Sequence, residues 1–345
     1  MTTLSSQTFS IITEENHPYF GCVALANAPI DTLKKEDLQV FLFPYNPDNP
    51  VPPIVGNWTE KEEYIYFRPL IPFSKNLTYQ ARFPNLPYFT FKPVPPKNYT
   101  LTKLTHIYPS LTQLPENTLK MYLHFSAPMS DGNGYDYMQL IEANGNTIKA
   151  PFLDLKPLLW NEDRTRLTLW FDPGRVKREL LRNQKLGAPL AQGKNYTLHI
   201  SKNWKDANGY SLAAGHRKEI EVTVADRVTP VPKEWTIIAP KANTKAPVII
   251  HFGEALDHAL ATKSLTVYTK KGKIVKGRVT LKENDTQWIF TPSIDWQANP
   301  YRIQIKAELE DLAGNNLNRL FDTDLEKQTS KRQALPYYYV DFRVE

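Results

Sequence analysis

Apolar and polar residues alternate in short runs along this chain, and the runs end at proline, glycine or asparagine. Residues 121–129 read Met-Tyr-Leu-His-Phe-Ser-Ala-Pro-Met, a two-residue period followed by a proline. Residues 248–256, Val-Ile-Ile-His-Phe-Gly-Glu-Ala-Leu, repeat that layout, and residues 21–30 echo it before ending in Asn-Ala-Pro-Ile. A period of two bounded by turn residues predicts β-strands with one face toward a core.

The same signal predicts strands over residues 19–25, 38–43, 63–68, 77–83 and 88–92. It continues over 121–125, 137–142, 166–171, 195–200 and 218–224, then over 248–252, 265–269, 277–282, 287–291, 301–307 and 337–344. Strands at this spacing, with turn residues between them, suit antiparallel sandwiches. Asn144-Gly145 predicts a type I′ hairpin turn, because Asn-Gly tolerates positive φ. Residues 93–98, Pro-Val-Pro-Pro-Lys-Asn, read as a stiff linker, and residues 322–335 as a polar excursion before a closing strand.

Landmarks recur in fixed order. After each His-Phe strand (His124-Phe125; His251-Phe252) come a glycine turn (Gly145; Gly272) and an aromatic strand ending in proline (Trp170 to Pro173; Trp288 to Pro292). A tyrosine strand follows (Tyr196; Tyr301), then an Asp-x-x-Gly turn (Asp206 to Gly209; Asp311 to Gly314). Fixed-order self-similarity predicts a repeat array with three domains, 1–97, 98–226 and 227–345. The first keeps Phe67-Arg68-Pro69 and Tyr79 but lacks the Asp-x-x-Gly turn.

Phe125-Ser126-Ala127-Pro128-Met129 and Asp311-Leu312-Ala313-Gly314-Asn315-Asn316-Leu317 resemble the opening strand and closing turn of bacterial Ig-like domains of the SbsA/S-layer type. The resemblance implies an all-β fold of tandem Ig-like antiparallel β-sandwiches, and an envelope or secreted spacer or adhesion module with no particular ligand.

Composition supports the pattern. The 28 prolines against 14 glycines, with 12% aromatics, favour short strands and proline-bounded turns over helices. A formal charge of +6 is spread among nearly as many acids, with no tract of five basic residues, so no nucleic-acid partner is expected. Cys22 is the only cysteine, which excludes an intramolecular disulfide and cysteine zinc sites and predicts a small buried side chain. No window holds 18 continuous apolar residues, so no transmembrane helix is expected. The expected placement is periplasmic, cell-surface or secreted with the export signal absent, or cytoplasmic if Met1 is the native start. A monomer is expected.

Candidate chemistry is sparse. No nucleophile elbow, zinc-protease, P-loop or dinucleotide fingerprint occurs, so neither a catalytic residue nor a cofactor is expected. His124 and His251 hold equivalent repeat positions and read as scaffold. Ser130 to Asp136 concentrates oxygen donors, which makes Asp131 and Asp136 a weak calcium candidate. Asp206 and Asp311 read as acceptors within Asx turns.

The largest departure from the repeat is residues 172–187. Asp172 suits an N-cap, Pro173 the first helical position and Gly187 a stop, predicting a short helical insertion in the middle domain. Val176, Leu180 and Leu181 would dock, leaving Arg175, Lys177, Arg178, Arg182 and Lys185 as an exposed rim for an acidic or anionic partner, or simply solvated. Trp58, Tyr64, Tyr66 and the run Tyr337-Tyr338-Tyr339 offer a rival surface for stacking on sugars. The expected function is thus a non-enzymatic envelope or secreted module that contacts a protein or polysaccharide. A carbohydrate-binding protein is the alternative, and a hydrolase with an inter-domain site comes third.

Overall fold

A computed structural model of the protein describes residues 8–13, 21–27, 33–71, 73–74, 77–93, 100–130, 132–177, 181–322 and 334–345. The chain divides into two compact units. One holds residues 1–103, 125–132 and 202–214, and the other holds 104–124, 133–201 and 215–345.

The first sandwich uses β1 (Thr8–Ile11), β2 (Val23–Ala26), β3 (Gln39–Leu42), β4 (Gly56–Lys61), β5 (Tyr64–Pro69), β6 (Tyr79–Arg82) and β7 (Phe89–Phe91). They form sheets β1-β2-β5-β4 and β3-β6-β7, which close over Val23, Leu25, Ile65 and Phe67 from one side and Val40, Tyr79 and Phe91 from the other. Cys22 is fully buried beside Ala24 and Tyr66, and burial pushes its thiol pKa up, as an inert small side chain requires.

Next come β8 (Leu104–Tyr108), β9 (Gln113–Pro115), β10 (Lys120–Phe125), β11 (Met138–Glu142), β12 (Arg166–Trp170), α1 (Pro173–Val176), α2 (Leu181–Leu186), β13 (Asn195–Ile200) and β14 (His216–Thr223). The sheets are β12-β10-β8 and β11-β13-β14-β9. β10 with β12, β11 with β13 and β13 with β14 pair antiparallel, whereas β9 and β14 run parallel.

The third sandwich has β15 (Thr236–Ile238), β16 (Val248–His251), α3 (His258–Ala261), β17 (Leu265–Thr269), β18 (Gly277–Lys282), β19 (Gln287–Pro292), β20 (Pro300–Lys306) and β21 (Tyr337–Arg343). Sheets β15-β16-β19-β18 and β17-β20-β21 enclose their own core of Val248, Ile250, Trp288, Trp296, Ile303 and Phe342. The closing strand predicted near residue 337 is β21, paired with β20 from Pro300↔Arg343 to Lys306↔Tyr337. Most of the polar excursion before it, residues 323–333, lies outside the described residues.

The first and third sandwiches each contain a similar Gly-to-Pro strand pairing. Gly56 pairs with Pro69, and Gly277 pairs with Pro292. A Cβ on Gly56 would sit 2.6 Å from the Phe67 ring, and one on Gly277 would sit 2.4 Å from the Phe290 ring. The phenylalanine of each Phe-x-Pro thus lies across the partner strand where only glycine leaves room. The equivalent stretch of the second sandwich is reduced to bridges Phe152↔Phe171 and Trp160↔Leu167.

Strands β1, β4, β8, β9 and β15 were not predicted. β4 shows the reason: only Gly56 and Trp58 are even half-buried, so no apolar alternation marks it. The turn at 143–146 also differs from expectation. Gly145 alone takes a positive φ (89°), with its N–H on Glu142 O at 2.8 Å, so the turn is not type I′.

Candidate functional site

Strand β10 places Met121 and Leu123 inward and Lys120, Tyr122 and His124 on its outer face, as strand geometry demands. Yet Tyr122 is only 5% exposed, because the third sandwich covers it. Its phenol donates to the Asp257 carboxylate, 2.8 and 2.7 Å from the two oxygens. Asp257 is also the N-cap of α3, accepting from Leu260 N at 2.9 Å. The Lys120 ammonium lies 3.3 Å from Asp257 Oδ2 and 2.5 Å from Glu310 Oε2. Burial pulls the Lys120 pKa down, but the two carboxylates more than offset this and hold it above its ordinary value. Beside this network Leu119 N donates to Leu312 O at 2.9 Å.

A ring cluster adjoins the ion network. Tyr108 and His258 stack with centroids 3.4 Å apart, and His258 Nδ1 lies 2.9 Å from Asp285 Oδ1. His124 meets both rings edge-on, at 5.2 Å from Tyr108 and 5.7 Å from His258. Its Nε2 is buried with no hydrogen-bond partner among the described residues. Burial, then His258, Arg166 and His106, lower the His124 pKa to about 4, so the ring is neutral at pH 7.

The linker between the two sandwiches is tied on both sides. Asn117 Nδ2 donates to Asp226 O at 2.7 Å, and Asn315 Nδ2 reaches the same carbonyl at 3.3 Å. Around it gather Asp226, Glu254 and Asp311, with carboxylate oxygens within 4.8 Å of one another. These are hard oxygen donors of the kind a divalent cation takes. Burial first, then Asp311 and Asp226, raise the Glu254 pKa to about 8; burial raises Asp311 to about 7 against hydrogen bonds from Asn315. The charge crowded there is relieved by a bound proton near neutrality.

The predicted basic rim is rearranged. Asp172 caps α1, accepting from Gly174 N at 2.9 Å, with Pro173 at the first position, as predicted. Instead of one helix there are two short ones, α1 and α2, and α1 ends at its C-cap Lys177, whose backbone is extended. Arg178 and Leu180 lie outside the described residues. Arg175 is corrected from rim to interior: it is 3% exposed, and its guanidinium donates to the carbonyls of Lys149, Ala150, Leu186, Gly187 and Ala188. The helical wheel failed because helical phase does not carry across a break. Leu181, expected to dock, is 72% exposed. Lys185 is exposed, Arg182 pairs with Asp172 at 3.1 Å, and Lys177 lies over the Phe321 ring at 4.4 Å.

Asp136, of the calcium candidate, is exposed in a 3₁₀ turn, and Asp131 lies outside the described residues. Asp206 and Asp311 act as predicted: each accepts two backbone N–H groups, from Asn208 and Tyr210 and from Ala313 and Asn315. Trp58 leans on Phe67 and donates to Leu38 O, and Tyr66 is buried, so neither is available for stacking on a ligand.

No curated protein sequence matches this chain. Among solved structures, native alpha-2-macroglobulin from Escherichia coli, domains MG0-NIE-MG1, is similar over 60% of this chain and 66% of that one, at 13% identity and TM-score 0.23. Domains 1–6 of surface layer protein SbsC are similar over 59% of this chain and 23% of that one, at 12% identity and TM-score 0.24. The titin I-band fragment I67-I69 is similar over 88% and 94%, at 8% identity and TM-score 0.20. The alignments span less than two thirds of the first two chains. Within this chain, residues 227–326 match the family described as a bacterial Ig-like domain.

Proposed function

We propose that the chain is a non-enzymatic Ig-like module of the bacterial envelope or a secreted one, built of three tandem domains, 1–97, 98–226 and 227–345. In this reading it acts as a structural spacer that offers surfaces to a partner. One observation carries the reading: Lys120 and Tyr122 of the second sandwich are buried against Asp257 and Glu310 of the third. Buried ionic contacts add little net stability over apolar packing, but a wrong relative orientation would leave charges buried and unpaired. They therefore suit a part whose task is to hold two domains in one arrangement. Asx turns, linker ties and a charged seam are all put to geometry.

Two measurements test this. An epitope-tagged full chain in the native host should be reached by antibody on intact cells or released to the medium; a signal confined to the cytosol overturns the envelope placement. Paired nitroxides at Glu219→Cys and Lys282→Cys, in a Cys22→Ala background, should give a single narrow distance distribution that broadens on Lys120→Met. A broad distribution in the parent chain overturns the spacer role.

A further inference from the structure

The outer face of sheet β17-β20-β21 carries an ordered set of polar and aromatic side chains. Val267, Ile303, Tyr301 and Phe342 point into the core. The alternate positions therefore form a solvent-facing grid, fixed by the strand register: Tyr268–Arg302–Asp341 in one row and Thr266–Gln304–Tyr339 in the next. Tyr339 is 50% exposed, and Tyr337 beyond it is 40% exposed.

The side chains of this grid hold one another. Tyr268 Oη donates to Gln304 Oε1 at 3.2 Å, and Gln304 Nε2 donates to Tyr339 Oη at 3.1 Å. Arg302 grips Asp341 with two bonds, Nε–Oδ1 at 2.7 Å and Nη2–Oδ2 at 2.9 Å, and lies over the Tyr339 ring at 5.4 Å. They line a shallow trough of about 450 Å³. Rotamers already held in place cost less to order when a ligand arrives.

We propose that this trough binds a neutral polysaccharide. A pyranose ring needs a flat aromatic surface for its C–H face, and a few fixed groups that both donate and accept for its vicinal hydroxyls. Tyr339 supplies the first; the Arg302–Asp341 fork and the Gln304 amide supply the second. The charge balance selects the class. An anionic polymer would meet Asp341, and a cationic one would meet Arg302 and Lys270, whereas a neutral polyol bonds to both halves of the fork without breaking it. An apolar peptide would bury the fork and the amide and leave them without water. The trough shares no residue with the Lys120–Asp257 seam, and the proposal stands whether or not the chain is an envelope spacer.

The test is native affinity electrophoresis of the full chain in gels containing soluble β-glucan, dextran, mannan, xylan or galactan, with alginate as the anionic control. The expected result is retardation by at least one neutral polymer, weakened at least tenfold by Tyr339→Ala and by Gln304→Ala and unchanged by Tyr64→Ala. Both trough substitutions are at solvent-facing positions, and unchanged thermal melting verifies that they fold. Retardation by none of the neutral polymers overturns the proposal, as does retardation by alginate alone. Retardation that survives both trough variants places binding elsewhere and overturns it equally.

Discussion

The hydroxyl of Tyr122 and the carboxylate of Asp257 lie 135 positions apart in sequence and 2.7 Å apart in space, both buried. The phenol pKa is raised, by burial first and then by the Asp257 charge it donates to, so this proton stays on oxygen at neutral pH. The contact is a fixed donor to a fixed acceptor, with Lys120 closing the same carboxylate from another side.

Removing the cation should therefore hurt more than removing the phenol. Lys120→Met strands Asp257 and Glu310 together and should cost about 3–5 kcal/mol. Tyr122→Phe leaves Asp257 with Lys120 and the α3 N-terminus and should cost about 1–3 kcal/mol. Urea melts of the two single variants and the double variant give the coupling between them, which should be well above zero.

Arg175→Met should destabilise by at least about 2 kcal/mol, because it removes a buried guanidinium that ties five backbone carbonyls of two segments together. Lys185→Glu, on an exposed side chain, should change stability by no more than about 0.5 kcal/mol. Chemical denaturation of each separates them. Equal effects would return Arg175 to the surface role first expected of it.

The His124 pKa is lowered from an ordinary 6.5 to about 4. The unfolded chain then binds more protons than the folded one between those values, so this group's contribution is present above pH 6.5 and is lost as pH falls toward 4. Discounted for the part of the ring that solvent screens, the loss is about 2 kcal/mol. Melting temperatures across that window should fall more steeply for the parent chain than for His124→Phe.

Glu254 carries the opposite sign. Its pKa is raised from 4.5 to about 8, so the folded chain holds the extra proton and stability declines as pH rises through that window. Glu254→Gln keeps the neutral form, and its melting temperature should gain on the parent by a few degrees between pH 4.5 and 8. A constant difference across the window would refute the shared-proton reading of the carboxylate group.

The sandwiches were legible because strand alternation is a local property: Arg-Ile-Gln-Ile-Lys in β20 announces two faces by itself. The seam was not, because alternation says which way Tyr122 points and nothing of what covers it. A tyrosine between a lysine and a histidine on an outward face was the available signal, with an acid pair, Glu310-Asp311, far along the chain. The Asx turns were read correctly because a side chain bonding two residues ahead involves no distant partner. Arg175 was misread because its acceptors at 149 and 150 come from far outside the local window.

The seam's chemistry also bears on how separable its two sides are. The third sandwich encloses its aromatic core without borrowing from its neighbour, and at the boundary it presents the Asp257 and Glu310 carboxylates and the stacked His258 ring. Changes to the boundary side chains therefore leave the aromatic core of the third sandwich untouched. The two His-Phe strands differ in this respect: His124 is walled in by rings at the seam, whereas His251 lies against Gln287 of its own sheet.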